Sequence, residues 1–188
     1  MRKRHEDESL DPEERARQIA LQRLTLKPHT RLELSRVLRR KGIPQQVIDA
    51  VLDRLTDVRL IDDEAYAHAW VESRHTGRGL ARRALAQELR DRGVDRDTVD
   101  NAVSQLDTET ETETARRLVT RKLPSTRHLE PARRARRLAG MLARKGYSAS
   151  LAFQVVSDAL RDEAVSEGSE DSLEELSFLS EPPPADPD

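Results

Sequence analysis

One short pattern occurs three times in this chain and limits the folds that are open to it. Each copy has a leucine, one or more basic residues, a glycine and then another apolar residue. The three glycines are Gly42, Gly93 and Gly146, which lie 51 and 53 residues apart. A pattern that returns at one period indicates repeated structural units along the chain. We therefore expect three copies of one small unit.

Each copy has the features of a helix end followed by a helix start. Basic residues suit the negative end of a helix dipole, and glycine suits the left-handed position just past a helix. Asp95 and Ser148 then follow as N-cap residues, and Pro44 in the same place suits a first helical turn. Apolar residues return every three or four positions after each start, which is helical spacing. Three ordinary helix turns built from common residues are the alternative, but glycine, cap and apolar stripe recur together in register.

Other helix starts divide the chain into units of three helices. Asp11 before Pro12, and Thr30 three residues before Glu33, predict two helix starts in the first unit. We predict an all-α fold, a tandem array of three three-helix repeats with disordered termini. The predicted segments are a disordered N-terminal arm over 1–11, repeats over 12–60, 61–108 and 109–161, and an acidic disordered tail over 162–188.

Two segments inside these repeats have weaker helix signals. The range Thr76–Gly79 contains two glycines and is interpreted as a flexible loop. The range Asp107–Thr114 alternates threonine with acidic residues. It is open to two interpretations, a linker or a cap for the helix that follows.

Composition limits the core and indicates the compartment. Hydrophobic residues and charged residues each make up 36% of the chain, which suits thin amphipathic helices. There is no cysteine, as is typical of a reducing compartment. We find neither an apolar run of membrane-spanning length nor the apolar core of a signal peptide. We therefore expect a cytoplasmic protein that does not bind membranes.

A formal net charge of −2 conceals an uneven distribution. Residues 162–188 hold ten acidic residues and no lysine or arginine, so the preceding 161 residues hold 33 basic against 25 acidic residues. A basic body with an acidic tail favours a polyanionic partner whose contact the tail screens or tunes. Solvated helix faces with a solubilising tail are the alternative.

We recognise no catalytic or metal-binding constellation. The five histidines lack the i,i+4 spacing of a helical metal site, and no cysteine can complete one. Asp62, Asp63 and Glu64 open a helix and are interpreted as caps, with a divalent-ion site, and hence a hydrolase or nuclease, as a weaker alternative. The range Gly77–Gly79 lacks the further residues of a dinucleotide or phosphate loop. We expect no enzyme activity, no metal and no cofactor.

Basic residues cluster in the repeats, as expected of a surface that binds phosphates or acidic protein. No aromatic residues are interleaved with them to stack on bases, so DNA binding is expected to be weak and without sequence preference. The residues predicted to contact a polyanionic partner are Arg36, Arg39, Arg40, Lys41, Arg78, Arg82, Arg83, Arg133, Arg134, Arg136, Arg137, Arg144 and Lys145.

Six stretches also have a specific order and spacing. They are Arg31–Gly42, Leu60–Ala67, Arg78–Leu80, Gln87–Val94, Arg121–Pro124 and Leu142–Tyr147. Together they resemble the RecX family, the bacterial regulators of the recombinase RecA, over residues 15–160. The middle loop departs from the Lys-Gly-Pro that the family usually has, and Arg92 stands where the family usually has lysine.

The resemblance implies an elongated, curved array of three-helix repeats that lies in the groove of the RecA–DNA filament and bridges protomers. It implies restraint of filament growth, ATP hydrolysis, strand exchange and repressor cleavage, and hence a role in DNA repair and the SOS response. We expect a monomeric modulator of RecA, mainly an inhibitor, that also binds single- and double-stranded DNA. A general DNA-binding protein or transcription regulator acting without RecA is the alternative, because helix-turn-helix modules also consist of short helices with sharp turns.

Overall fold

The structure, a computed structural model, describes residues 11–168, and all regular secondary structure within that range is helical. It contains nine α-helices and one short 3₁₀ turn, with no β-strand among the described residues. The all-α prediction is confirmed, while the disorder predicted for residues 1–10 and 169–188 lies outside the described residues. The helices are α1 Pro12–Leu26, α2 Arg31–Arg40, α3 Gln45–Asp57, α4 Asp63–Arg78, α5 Arg82–Asp91, α6 Arg96–Ser104, α7 Thr108–Lys122, α8 Pro131–Arg144 and α9 Ala149–Glu167, with the 3₁₀ turn over Leu123–Thr126.

Most predicted helix starts are confirmed by side-chain caps. Thr30 and Glu33 form the predicted capping box, in which each side chain accepts from the other residue's backbone N–H. Ser148 accepts from the backbone N–H of Leu151 at 3.2 Å and begins α9. Pro44 is the exception, because its ψ of 143° places it before α3 as the N-cap residue and not in the first turn.

The two segments with weak helix signals are both helical. Helix α4 continues through Arg78 and ends at Gly79, whose φ is +61°, so the loop predicted over Thr76–Gly79 is wrong. Helix α7 begins at Thr108, where the Asp107 carboxylate accepts from the backbone N–H of Thr110 at 2.7 Å. The cap interpretation of this segment is therefore correct. Burial explains why the segment folds, because Glu111 and Thr114 lie one helical turn apart on the inner face of α7.

Residues 162–167, which the composition assigned to the acidic tail, continue helix α9. The physical reason is Glu163, whose carboxylate accepts a hydrogen bond from Nε of Arg127 at 2.9 Å and another from Nη2 of Arg134. Composition alone marks Glu163 as a tail residue because it cannot show which helix faces it.

The described helices form two compact units. Among the described residues, the first unit holds residues 11–71 together with Ala86–Ala102, and the second holds Glu72–Leu85 together with residues 103–168. Each unit has a core of aliphatic side chains, and burying one leucine fully contributes about 1.5–3 kcal/mol. The fully buried leucines include Leu34, Leu38 and Leu52 in the first unit and Leu85, Leu138 and Leu142 in the second.

In each unit, a glycine turn packs against the start of another helix. The carbonyl of Arg92 accepts from the Thr30 hydroxyl at 2.6 Å, and Gly93 contacts Leu32 so closely that a Cβ there would overlap it. In the second unit, the Gly146 turn lies against the start of α5, and a Cβ on Gly146 would lie 2.5 Å from the backbone nitrogen of Ala84. These two glycines therefore serve as packing surfaces as well as turns.

In each unit, a carboxylate also caps the helix start against which the glycine turn packs. In the first unit, Asp63 of α4 accepts from the backbone N–H of Arg31, the first residue of α2, at 2.9 Å. Burial, assisted by the charges of Asp95 and Asp62, raises the pKa of Asp63, although the hydrogen bond from Arg31 and its charge act in the opposite direction. In the second unit, Glu111 of α7 accepts from the backbone N–H of Arg82, the first residue of α5, at 2.7 Å. Asp63 of the second repeat thus caps the second helix of the first repeat, and Glu111 of the third repeat caps the second helix of the second.

Candidate polyanion-binding surface

Helix α8 presents a row of exposed arginines on the side opposite its buried face. We call Arg133, Arg136, Arg137 and Arg144 the arginine stripe; all four are exposed. At about 100° per residue, they fall on one side of the helix. The buried side is formed by Ala135, Leu138 and Leu142.

The arginine stripe has no counter-charge among the described residues. Within residues 11–168, none of its four guanidinium groups forms a hydrogen bond or an ion pair with another side chain. The guanidinium of Arg144 lies close to Gly140, where a Cβ would stand 3.5 Å from Nη1. Cations that are exposed and uncompensated are the groups that attract phosphates most strongly.

Arg134, the fifth arginine of this helix, has a different environment. Its side chain is only 15% exposed, and its Nη2 donates to the carboxylate of Glu163. Burial on its own raises the pKa of Glu163, but the hydrogen bonds from Arg134 and Arg127 outweigh it, so that this pKa lies below its ordinary value. The structure therefore places Arg134 in an ion pair that joins α8 to α9.

The predicted basic cluster of the first unit lies at the end of α2. Arg36, Arg39, Arg40 and Lys41 are all exposed there. Nη1 of Arg36 donates to the carbonyl of Asp91 at 3.3 Å, and Nη2 of Arg39 donates to Oε1 of Gln45 at 3.1 Å. Beside Arg36, a shallow cavity of about 340 Å³ also contains carboxylates. Its lining residues are Glu33, Arg36, Glu88, Asp91 and Arg92. The field of this cluster is thus partly compensated.

The remaining predicted residues surround the Gly146 turn in the second unit. Nζ of Lys145 donates to the carbonyl of Arg78 at 2.5 Å, and Nε of Arg82 pairs with Glu111 at 2.9 Å. A cavity of about 440 Å³ lies beside them and is lined by Arg82, Arg83, Glu111 and Ser148 among others. Because Glu111 contributes a carboxylate, this cavity has mixed charge, and Arg82 and Lys145 help to hold the unit together.

Several structurally important polar residues were not identified from the sequence. Glu111 is only 6% exposed, and His75 is buried with its Nδ1 2.9 Å from the carbonyl of Leu80 and its Nε2 3.0 Å from the hydroxyl of Thr114. Arg92 lies 3.8 Å from the ring centre of Trp70. Glu111 had a detectable signal, because it falls at helical spacing from the apolar residues of α7.

Two carboxylates of the acidic run at the start of α4 accept hydrogen bonds from backbone N–H groups at helix starts. Asp62 accepts from the backbone N–H of Ala65 at 2.8 Å, and Asp63 is the cap described above. In the part of the chain that the structure describes, no group of three or more histidine, cysteine or acidic side chains is placed to hold a metal ion. None of the helices described is both long enough and apolar enough to cross a membrane.

Comparison with protein families matches three domains of one family along the chain. Residues 16–55 match the first three-helix domain of RecX, residues 62–103 the second and residues 109–156 the third. A protein named regulatory protein RecX from Streptomyces coelicolor is 59% identical over 153 residues, which cover 81% of each chain. Its namesake from Thermobifida fusca is 56% identical over 151 residues, which cover 80% of this chain and 82% of the relative.

Solved structures show the same fold. A crystal structure of regulatory protein RecX superposes with a TM-score of 0.72 at 25% identity, covering 79% of this chain and 72% of the other. RecX from Lactobacillus salivarius gives a TM-score of 0.73 at 20% identity, covering 79% of this chain and 96% of its own. Since three successive domain matches and relatives of this identity span most of its length, this chain belongs to the RecX family of regulatory proteins.

Proposed function

We propose that this protein binds the filament that RecA forms on DNA and, mainly as an inhibitor, restrains its growth, ATP hydrolysis, strand exchange and coprotease activity. Membership in the RecX family supports RecA as the partner. The protein acts in this role by binding, as a monomer in the cytoplasm, without catalysis of its own. Through RecA it takes part in the regulation of DNA repair and the SOS response.

The arginine stripe of α8 is the surface that carries this proposal. Four exposed arginines without a counter-charge in the described residues favour contact with phosphates or with an acidic protein surface. A second basic surface lies at the end of α2, where nearby carboxylates weaken the positive potential. It consists of Arg36, Arg39, Arg40 and Lys41. Two weak contacts on one chain reinforce each other, because the first contact raises the effective concentration of the second.

The primary test measures ATP hydrolysis by RecA on single-stranded DNA at increasing amounts of this protein. We expect hydrolysis to fall with the unmodified chain. The triple variant Arg133→Gln/Arg136→Gln/Arg137→Gln is expected to require about tenfold more protein for the same effect, because three phosphate contacts are lost. Unchanged hydrolysis at a saturating amount of the unmodified chain would remove RecA restraint as the function.

A matched control separates the two basic surfaces. The variant Arg36→Gln/Arg39→Gln/Arg40→Gln removes the same charge from α2 as the first variant removes from α8. A smaller loss of inhibition with the α2 variant supports the stripe as the main contact, whereas equal losses indicate that net charge alone matters.

General DNA binding without RecA is the competing function. It predicts that the unmodified chain binds duplex DNA tightly in the absence of RecA, and that some sequences are preferred. We expect weak binding with a steep salt dependence and no preference, because the exposed basic side chains offer phosphate contacts without aromatic groups that stack on bases.

A further inference from the structure

We propose that the acidic C-terminal segment, residues 169–188, binds the arginine stripe of α8 in the free protein and has to leave it before a polyanion can bind there. This proposal concerns the regulation of the surface described above. It rests on the proposed function for the identity of the competing polyanion, but the contact within the chain stands independently of it.

The end of α9 lies close to the start of α8, the helix that carries the arginine stripe. Helix α9 ends at Gly168, whose φ is +67°. Five residues earlier, Glu163 accepts hydrogen bonds from Arg134 of α8 and from Arg127. Because a helix rises about 1.5 Å per residue, Gly168 lies only about 8 Å along the axis from Glu163. Gly168, from which the C-terminal segment continues, therefore lies about one and a half helical turns from the contact between α9 and the first turn of α8, the turn that contains Arg133.

The charges of the segment and of the stripe are complementary. Residues 169–188 contain seven acidic residues and no lysine or arginine. Four of the seven, at positions 170, 171, 174 and 175, lie within the first seven residues of the segment. The stripe offers four exposed arginines, none of which pairs with a side chain in the described range. Opposite charges held on one chain attract strongly at low ionic strength, where the Debye length is long.

The segment is also long enough to cover the whole stripe. Arg133 and Arg144 lie eleven residues apart on α8, which corresponds to about 17 Å along the helix. Twenty residues reach about 65 Å when fully extended. Attachment to the same chain gives the segment an effective concentration on the order of millimolar at the stripe, so that even a weak contact is well populated.

The other basic surfaces fit this segment less well. Arg82 is already paired with Glu111, and Lys145 with the carbonyl of Arg78. The cluster at the end of α2 lies beside carboxylates that would repel an acidic segment. Among the predicted sites within residues 11–168, the stripe therefore combines proximity to the chain exit with uncompensated charge.

The contact itself is tested without DNA or RecA. The chain has no cysteine, so Ser180→Cys provides a single attachment point for a nitroxide spin label. We expect the label to broaden the backbone amide resonances of α8 from Arg133 to Arg144 at low salt. The broadening is expected to vanish at about 1 M salt, where the Debye length is about 3 Å.

Two variants and one mixture decide between the possible sources of broadening. The contact predicts that Arg133→Gln/Arg136→Gln/Arg137→Gln abolishes the broadening and that Arg36→Gln/Arg39→Gln/Arg40→Gln preserves it. Absence of broadening in α8 overturns the proposal. So does broadening seen only when labelled and isotope-enriched chains are mixed, because the segment then binds a second copy.

Competition is tested by truncating the chain after Gly168, which keeps every described helix; an unchanged circular dichroism spectrum is the folding control. We expect the truncated chain to bind single-stranded DNA at least about threefold more tightly at low salt, because the internal competitor is gone. In the triple stripe variant the same truncation is expected to change the affinity little. An equal gain in that variant overturns the proposal, because the segment then acts through overall charge.

The failures of the two proposals can be told apart. If the label broadens α8 but neither the full nor the truncated chain affects RecA or binds DNA, the contact within the chain is supported and the proposed function is wrong. If RecA is restrained equally by both chains and α8 is not broadened, the proposed function is supported and the contact is wrong.

Discussion

The side chain of Glu111 binds the first residue of another helix, Arg82, through both of its carboxylate oxygens. Oε1 accepts from the backbone N–H of Arg82 at 2.7 Å, and Oε2 accepts from its Nε at 2.9 Å. A helix start has backbone N–H groups that no residue of the same helix can satisfy. Helix α5 therefore depends on a residue of α7 to complete its hydrogen bonds, which couples the folding of the second and third repeats.

We expect Glu111→Ala to lower the free energy of unfolding by about 1–3 kcal/mol, because it leaves the part-buried backbone N–H of Arg82 without its cap. Glu111→Gln keeps one acceptor and is expected to lose less. Glu113→Ala is the matched control on the exposed side of α7, and its effect is expected to stay within about 0.5 kcal/mol. Urea denaturation followed by circular dichroism measures all three, and equal effects at positions 111 and 113 contradict the capping role.

The glycine turns provide a comparison between backbone strain alone and strain combined with packing. Gly42 has a φ of +77° with open space where a Cβ would lie, whereas Gly146 has a φ of +89° and lies against Ala84. We expect Gly42→Ala to cost about 1–2 kcal/mol from the left-handed conformation. Gly146→Ala is expected to cost about 1–3 kcal/mol more, because the new methyl group collides with backbone. Thermal or urea unfolding would contradict this if both variants lost the same stability.

The Glu163 ion pair predicts a stability that depends on pH. Its pKa in the folded protein lies below the ordinary value of 4.5 because Arg134 and Arg127 donate to the charged carboxylate. The folded state thus binds this proton less readily than the unfolded state, and the stabilisation is present above pH 4.5 and is lost as pH falls through the folded pKa. The difference in unfolding free energy between the unmodified chain and Glu163→Gln is expected to be largest at neutral pH.

This difference is expected to shrink steadily below pH 4.5 in urea unfolding measured across a pH series. A difference that stays constant down to acidic pH would show that the charge of Glu163 does not matter. Arg134→Ala and Arg133→Ala form the accompanying pair, in which only the first is expected to destabilise the protein.

Tyr147 predicts that the stability of the protein depends on pH in the alkaline range. Its hydroxyl donates to the carbonyl of Gly79 at 3.2 Å, and burial, assisted by the charge of Glu111, raises its pKa to about 12. Stability from this group is complete below pH 10 and is lost as pH rises from 10 to 12, because the unfolded state loses the proton first. We expect the near-ultraviolet absorbance of tyrosinate to include one group titrating near pH 12, and Tyr147→Phe to remove it. A normal titration of both tyrosines would contradict the burial of Tyr147.

Local signals were sufficient to predict most of the helices. Caps such as Thr30 with Glu33 act within one turn, so their residues are close in the sequence and their geometry is predictable. The helical end around Thr76–Gly79 was missed because glycine lowers helix propensity, whereas His75 stabilises the same turn through contacts with Leu80 and Thr114. Contacts over 39 residues cannot be inferred from neighbours in the sequence.

The predicted binding residues show the same limit. Charge alone groups Arg133, Arg134, Arg136 and Arg137 together, but only a fold can show that Arg134 faces Glu163 while the other three face outward. Which of these arginines face inward and which face outward depends on the side of α8 that packs on α9. Helical spacing indicates an inner and an outer side, but an arginine at the boundary between them is assigned only by its partner.

That single inward arginine changes how genetic experiments on this helix should be designed. Deleting residues 133–137, or replacing all of them with alanine, removes the ion pair between two helices together with the outward charges. An inactive allele of this kind could therefore result from misfolding as well as from lost recognition. Alleles that spare Arg134 and alter its three neighbours keep the scaffold intact, and a phenotype from them can be assigned to the surface itself.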